Sequence, residues 1–484
     1  MNKQFIPNPI VKRAFLTPDR QAITFEERSY TFQEIFDLSY EKAGRLQGMG
    51  VRKGQNIALL LRNHIDTVVV MLSLQLLGAT AVVLNNRLTS NELLWQINDS
   101  KVTLTISEEA LKDKLDTSST FVSWKEQLGP FEEPIIQEEI DLDDVCTIMY
   151  TSGTTGNPKG VLQTYGNHWW SATGSALNLG LREDDCWLCS VPLFHISGFS
   201  ILMRSVFYGM RIILHDTFNE KKTLLDVQDK KVTIMSVVTT MLSRLLEELD
   251  EKKLPEFFRC MLLGGGPAPL PILERCVEKE IPVYQTYGMT ETASQIVTLS
   301  PEDSMKKIGS AGKPLFPSQL KIVDNSKHEL GPNQSGEIVV KGPNVTIGYL
   351  NREEVNKEQF IEGWFKTGDI GFVDEEGFLY VQDRRSDLII SGGENIYPAE
   401  IEGILTSHPD IVDAGVIGKD DERWGQIPVA FVLKKDPLTE EKIVQFCSNK
   451  LAKYKIPKEI YFVDSIPRNA SKKLLRRELR KLLE

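Results

Sequence analysis

Eight short β-rich runs return through the first 263 residues of this 484-residue chain, and that rhythm narrows its fold more than any single motif. They are Asn56 to Leu61, Ala79 to Leu84, Val102 to Ser107, Val145 to Thr151, Cys186 to Pro192, Arg211 to His215, Thr233 to Val238 and Arg259 to Leu263. Helical patterns such as Leu224 to Lys230 and Met241 to Asp250 lie between them. Parallel strands need a long crossover, usually a helix, so the alternation predicts βαβ units in parallel sheets. The longest apolar passage, Val68 to Leu84, is broken by Ser73, Gln75, Gly78 and Thr80. It reads as a buried helix ending near Gly78 followed by a strand, and not as a membrane span.

From about Ile308 the pattern changes to closely spaced short strands with glycine turns, as in Gly336-Glu337-Ile338-Val339-Val340-Lys341-Gly342, which predicts an antiparallel β subdomain. A third unit begins after Tyr380-Val381-Gln382-Asp383-Arg384-Arg385-Ser386-Asp387. Its segments (Leu388 to Ser391, Pro398 to Ser407, Val412 to Gly418, Val429 to Lys434, Glu440 to Leu451) fit a small α+β domain. The expected fold class is α/β: a large N-terminal region over residues 1–385 with βαβ-built sheets and the antiparallel β subdomain, and a small α+β C-terminal domain over 386–484. A chain of this length with 41% hydrophobic residues exceeds a single core, in keeping with that division.

The net charge of −11 argues against a general nucleic-acid binder, whose affinity comes from neutralised phosphates. Lys450 to Glu484 nevertheless carries 11 basic against 4 acidic residues, which suits either a polyanionic ligand or a solvated helix face. The start, Met1-Asn2-Lys3-Gln4-Phe5, has no apolar segment of the kind a secretion signal needs. Six cysteines in so long a chain do not suggest a disulfide framework, so a reducing cytoplasm is the expected compartment. Cys186 and Cys189 form a C-x-x-C, but an offset of three in a strand puts them on opposite faces, which disfavours a metal site.

Thr151-Ser152-Gly153-Thr154-Thr155-Gly156-Asn157-Pro158-Lys159-Gly160 is built to hold phosphate, unless it is a plain surface loop. Glycines let backbone N–H groups approach an anion, the hydroxyls add donors and Lys159 brings a positive charge. It is not a Walker A loop, because Pro158 stands where Gly-Lys should follow the spacer. Further along come Leu263-Gly264-Gly265-Gly266-Pro267, Tyr284-Gln285-Thr286-Tyr287-Gly288-Met289-Thr290-Glu291-Thr292, Phe365-Lys366-Thr367-Gly368-Asp369-Ile370-Gly371 and Asp383-Arg384-Arg385. Ser391-Gly392-Gly393-Glu394-Asn395-Ile396-Tyr397-Pro398, with a helix expected to start near Pro398, and Pro467-Arg468-Asn469-Ala470-Ser471-Lys472-Lys473-Leu474 complete the series.

In this order these seven clusters resemble the adenylate-forming superfamily of acyl-CoA synthetases, luciferases and peptide-synthetase adenylation domains, over essentially the whole chain. The resemblance implies activation of a carboxylate by ATP to an acyl-adenylate and pyrophosphate, then transfer to a thiol. It places Thr151, Ser152, Gly153, Thr154, Thr155, Gly156 and Lys159 around the β- and γ-phosphates, and Gly264, Gly265, Gly266 and Pro267 against adenine. Gln285, Thr286, Gly288 and Met289 join the nucleotide site, Tyr287 stacks on the base, and Thr290 bonds phosphate. Glu291, with Thr151, would hold Mg²⁺. Asp369 would accept the ribose hydroxyls and Arg384 would bond ribose or the α-phosphate, although the family usually has Gly-Arg where this chain has Asp383-Arg384.

Arg385 and Ser386 match the family hinge about which a mobile C-terminal domain rotates. Ser391, Gly392 and Gly393 match the loop that lines the pantetheine tunnel, Trp424 a segment near the CoA nucleotide, and Arg87 a weaker contact to a CoA phosphate. Lys473 matches the lysine that neutralises attack on the α-phosphate. The family has glycine just before it and this chain has Lys472, which restricts the loop and sets two ammonium groups against one position.

Amino-acid adenylation domains carry an aspartate where His195 stands, and its absence here argues against an amino acid as the substrate. His195 reads as a gate or substrate contact. Met289-Thr290-Glu291-Thr292-Ala293-Ser294-Gln295-Ile296, Val297-Thr298-Leu299-Ser300-Pro301 and Gly309-Ser310-Ala311-Gly312-Lys313-Pro314-Leu315 bring the closer resemblance to o-succinylbenzoate-CoA ligases of menaquinone biosynthesis. That substrate has two carboxylates, one unreactive, and the latter needs donors or a cation. Ser197, Arg204, Thr239 and Gln295 are the candidates, with His195 and Gly288 bordering the acyl group. The expected partners are small molecules: the acid, ATP and CoA, with a homo-oligomer left open. Another acyl- or aryl-CoA ligase, or a nucleotide-binding protein that has lost catalysis, are the alternatives.

Overall fold

The computed structural model describes residues 3–115, 121–123, 129–151, 158–265, 269–384, 387, 389–391, 394–396, 398–421, 424–435, 437–448, 450–451, 453–469 and 474–483, with the backbone alone for 121, 383, 384, 390, 394, 395 and 425. It divides into two compact units: Met1–Leu320 with Val340–Phe365, and Lys321–Val339 with Lys366–Glu484.

The first unit is built on two large sheets. In the nine-stranded one, Gln21–Phe25, Arg211–Leu214, Cys186–Cys189, Ile234–Val238, Cys260–Gly264 and Val283–Met289 are neighbours in that order and run parallel. Antiparallel strands finish its edges: Arg28–Thr31 on one side, Ser294–Leu299 and then Lys313–Pro314 on the other. The seven-stranded sheet runs Gly348–Tyr349, Lys159–Thr164, Val145–Thr151, Thr80–Val83, Asn56–Leu60, Leu104–Ser107, Phe121–Ser123, and is parallel from Val145–Thr151 onward. The expected βαβ architecture is therefore present.

Local chemistry sets the helices between these strands. Helix Phe32–Gly48 starts in a capping box, in which Glu34 N donates to Thr31 Oγ1 and Thr31 N to the Glu34 carboxylate. Helix Ile65–Leu77 is buried on all sides, and ends at Gly78 in the left-handed region (φ 69°) before strand Thr80–Val83. That is the helix, glycine and strand which the apolar passage predicted. Helix Thr239–Leu249 buries Met241, Leu242, Leu245, Leu246 and Leu249, a stripe of 3- and 4-residue spacing, each worth about 2 kcal/mol of apolar burial. Among the described residues no helix is long and apolar enough to cross a membrane.

Gln319–Val323, Gly336–Lys341 and Trp364–Val373 are neighbours in a further sheet, and Leu379–Arg384 pairs antiparallel with the last of them, in keeping with the β subdomain expected after Ile308. The rest of the second unit is a small α+β layer structure. Its sheet joins Glu394–Ile396, Ile389–Ser391, Gly425–Lys434, Ile411–Asp421 and Glu459–Phe462. One core packs helices Pro398–Thr406 and Glu440–Ser448 through Ile401, Leu405, Ile443 and Cys447; another holds helix Arg476–Arg480 through Leu479, Val429 and Phe431.

Candidate active site

The parallel strands of the nine-stranded sheet deliver the first set of predicted residues from their carboxyl ends, the usual place for a ligand site in such a sheet. Val238 stands opposite Gly264, and Leu263 opposite Gln285. Gly265 takes φ 87°, with Val238 Cγ1 only 3.2 Å from where its Cβ would lie, so a side chain there would be strained and crowded. The Thr286 hydroxyl donates to Leu263 O at 3.2 Å and ties the Gly264 turn to the next strand. A bulge falls between Tyr287 and Gly288, and a Cβ on Gly288 would lie 2.1 Å from Ser294 O, which only glycine accommodates. Gly266 and Pro267 lie outside the described residues.

Beyond Met289 the chain makes a short turn, Thr290–Thr292, that is pinned from several sides. Gln163 Nε2 donates to Thr290 O at 2.6 Å, Thr346 N to Glu291 O at 2.7 Å, and Asn344 Nδ2 to Thr292 O at 3.1 Å. The Glu291 carboxylate is buried and accepts from the Tyr349 hydroxyl at 2.9 Å. Gln163 is itself held by Thr147, whose hydroxyl donates to it at 3.0 Å and lies 3.2 Å from His168 Nε2. Ala293 and Ser294 follow with positive φ (51° and 107°), strain that these bonds hold in place.

Thr151 and Lys159, the two described ends of the phosphate loop, are paired across antiparallel strands Val145–Thr151 and Lys159–Thr164. The loop is thus a β-hairpin connection, and the second strand is one the sequence did not disclose. Tyr150 donates to Asp99 at 2.8 Å, and Arg352 pairs with the same carboxylate, so the strand entering the loop is anchored. Ser152, Gly153, Thr154, Thr155 and Gly156 lie outside the described residues.

His195 caps helix Ile196–Tyr208, and its ring lies 4.6 Å from that of Phe194. Burial, reinforced by Arg87, pushes its pKa down to about 4, so it is neutral near pH 7. Arg87, expected at a CoA phosphate, thus lies near enough to influence His195, its guanidinium 5.8 Å from the Phe194 ring. Gly198 packs where a Cβ would meet Pro192 O at 2.3 Å, which lets the helix start close under the loop. Buried Asn63 donates to Val191 O and His215 O and accepts from Leu193 N, fixing that loop.

Ser197, Ser200 and Arg204 share one face of the helix by their spacing. Ser200 Oγ lies 3.4 Å from Ser294 Oγ, which turns this face toward strand Ser294–Leu299, the strand that carries Gln295. Arg204 is 1% exposed, and its Nε and Nη2 have no hydrogen-bond partner among the described residues; neither amide atom of buried Gln295 has one. Thr239 opens the next helix directly after strand Ile234–Val238.

In the second unit, Gly368 (φ 72°) lets the chain turn so that Thr367 accepts from Asp369 N and donates to Ile338 O. Asp369 is buried and stands opposite Arg384 across the antiparallel pair. Ser391 is buried at the end of its strand, and Trp424 is 46% exposed, its N donating to Asp421 at 2.9 Å. Arg385, Ser386, Gly392, Gly393, Lys472 and Lys473 lie outside the described residues. Cys186 and Cys189 are both buried free thiols whose pKa values burial raises to about 11 and 12, which makes them inert packing residues. Among the described residues no cluster of His, Cys, Asp and Glu could hold a metal ion alone. Glu291 and Thr151 offer hard oxygen donors of the kind Mg²⁺ shares with phosphate.

Histidine 168 gives a pH prediction. Burial pushes its pKa from the usual 6.5 down to about 3, whereas in the unfolded chain it takes a proton below 6.5. Its stabilising contribution is therefore full above pH 6.5 and is lost as the pH falls toward 3. Between pH 6.5 and 5 the loss amounts to about 2 kcal/mol. His168→Gln should flatten this part of the profile in urea titrations; an unchanged acid slope would refute it.

The AMP-binding enzyme family matches residues 11–350, and its C-terminal domain matches 400–473; the chain belongs to this family. It is 54% identical over 479 residues to 2-succinylbenzoate--CoA ligase of Bacillus cytotoxicus, covering 99% of each chain. Its fold is similar to o-succinylbenzoate CoA synthetase from Bacillus subtilis in complex with the acyl-adenylate intermediate OSB-AMP, with TM-score 0.96, 49% identity, and 99% and 98% of the two chains covered. The same enzyme in complex with ATP and magnesium ion matches with TM-score 0.94 at 48% identity, over 99% and 100% of the chains.

Proposed function

We propose that this protein is an acid-thiol ligase that converts 2-succinylbenzoate, ATP and CoA to the CoA thioester, AMP and pyrophosphate, in menaquinone biosynthesis. The observation that carries this reading is identity of 54% over 99% of the chain to ligases of that name. The buried Arg204 and Gln295 support the specific acid, since a second carboxylate needs such donors.

In the first half-reaction a carboxylate oxygen attacks the α-phosphorus, the bond to the β-phosphate oxygen breaks, and pyrophosphate leaves. Tyr287 would stack on adenine between the Gly264–Gly265 turn and the bulge, Thr290 would bond phosphate, and Lys159 would face the outer phosphates. Glu291 and Thr151 would hold Mg²⁺, which when bound offsets phosphate charge. Asp369 and Arg384 would take the ribose, and Lys473 the charge developing at the α-phosphate. In the second half-reaction the thiol sulfur attacks the acyl carbon and AMP leaves, with Ser391, Gly392, Gly393 and Trp424 on the CoA side. His195, neutral at working pH, borders the acyl group as a gate. Residues 386–484 would turn about Arg385 and Ser386 between the two steps, because Lys473 and the glycine loop serve one site in turn.

The cytoplasm is the proposed compartment, supported by six buried free thiols. Incubation with 2-succinylbenzoate, ATP, Mg²⁺ and CoA should yield the CoA thioester and equimolar AMP. Thioester from benzoate or a fatty acid but none from 2-succinylbenzoate would overturn the substrate, and no acid-dependent exchange of pyrophosphate into ATP would overturn the reaction.

A further inference from the structure

Tyr349 stands between two charged groups at the phosphate end of the candidate site. Its hydroxyl donates to Glu291 Oε1 at 2.9 Å, and Lys159 Nζ lies 5.2 Å from the centroid of its ring. One phenol thus touches a carboxylate with its polar tip and an ammonium with its face. The backbone that carries it is fixed on both sides. Tyr349 pairs with Val161 across the sheet, and its N and O bond the Asn356 side chain at 2.8 and 2.9 Å. Leu350 N donates to Gly160 O at 2.8 Å, next to Lys159. The bonds from Gln163, Thr346 and Asn344 fix the main chain of the Thr290–Thr292 turn, whereas the bond from Tyr349 acts on the carboxylate itself.

We propose that Tyr349 is a positioning residue that orients the Glu291 carboxylate toward a divalent cation and steadies Lys159 beside it. This rests on the reading of Glu291 as the metal-facing carboxylate. A ligating carboxylate with a free torsion presents its lone pairs in many directions, and an outer hydrogen bond selects one. Loss of such a partner costs about 10- to 100-fold in metal affinity. The hydroxyl of Tyr349 is such a partner here.

The test is Tyr349→Phe in the full-length protein, which removes the oxygen and keeps the ring over Lys159. The readout is binding: the thermal stabilisation given by ATP, measured over a series of Mg²⁺ concentrations. The half-maximal Mg²⁺ concentration should rise about tenfold, with stabilisation by ATP in chelator unchanged. Phe360→Leu alters a ring 6.5 Å from that of Tyr349 without touching the hydroxyl, and should leave the Mg²⁺ dependence as in the wild type. In a Glu291→Gln background, Tyr349→Phe should add nothing further. If Glu291→Gln leaves the Mg²⁺ dependence unchanged, the underlying assignment of Glu291 fails. If Glu291→Gln shifts it but Tyr349→Phe does not, or Phe360→Leu shifts it equally, or the Tyr349→Phe effect persists in full without the carboxylate, the role of Tyr349 is overturned.

Discussion

Lys473→Ala should lower adenylate formation about 100- to 1,000-fold and leave CoA transfer from a supplied acyl-adenylate close to wild type. The division follows from charge. Attack on the α-phosphorus concentrates negative charge on its oxygens while a second anion approaches, and a fixed cation stabilises that arrangement more than the ground state. Thiol attack on the adenylate places its developing charge on the acyl carbon's oxygen instead, so a lysine at the α-phosphate would have little to do there.

The described residues beside Lys473 show how the loop is held. Arg468 bridges to Leu474, and Leu475 N donates to Pro467 O at 2.9 Å, which closes the loop at its neck. Arg468 forks onto Asp413, and Arg476 bonds Asp387, Glu402 and Val416 O. The residues that flank Lys473 in sequence are thus tied to the sheet and helices of their own unit. Lys472, where the family has glycine, is the control: Lys472→Gly should retain adenylation, and loss confined to that variant would transfer the role to Lys472. Pyrophosphate release measures the first step, and thioester formation from synthetic adenylate the second.

Much of the architecture could be read from the chain because its parallel strands are apolar runs bounded by turn residues, and burial on both faces leaves no other use for such runs. Cys186–Cys189 and Cys260–Gly264 lie where their runs predicted, and Gly78 ends its helix as its freedom at positive φ suggests. Strand Lys159–Thr164 escaped notice. Its first two residues, Lys159 and Gly160, read as the end of the phosphate loop, and its strand state comes from pairing with Val145–Thr151 and Gly348–Tyr349. The nucleotide motifs were legible because glycine, hydroxyl and acidic residues sit close together in sequence. Gln163 and Tyr349 were not, because they reach the Thr290–Glu291 turn from 127 and 58 positions away and have no local pattern of their own. Only the fold brings a glutamine in one strand and a tyrosine in another to the same turn.

Arg204→Met should reduce kcat/KM for 2-succinylbenzoate by about 30- to 1,000-fold, while a monocarboxylate analogue that is still activated is handled as by the wild type. Arg204 is 1% exposed, lies 5.2 Å from the Trp187 ring, and has its pKa lowered by burial. A guanidinium in that setting loses its hydration, and Nε and Nη2 gain no acceptor among the described residues in return. Such an arrangement costs several kcal/mol in the free protein. A carboxylate arriving with the substrate would accept both donors in the fork geometry arginine favours, offsetting the cost only in the complex. Ser197 and Ser200 on the same helix face and Gln295 on the facing strand would complete the polar end. The sign of the stability change separates this from a packing role. Methionine keeps the volume and removes a buried charge, so Arg204→Met should melt no lower than wild type. A lower melting temperature with equal losses on both acids would make Arg204 a structural residue and remove it from substrate recognition.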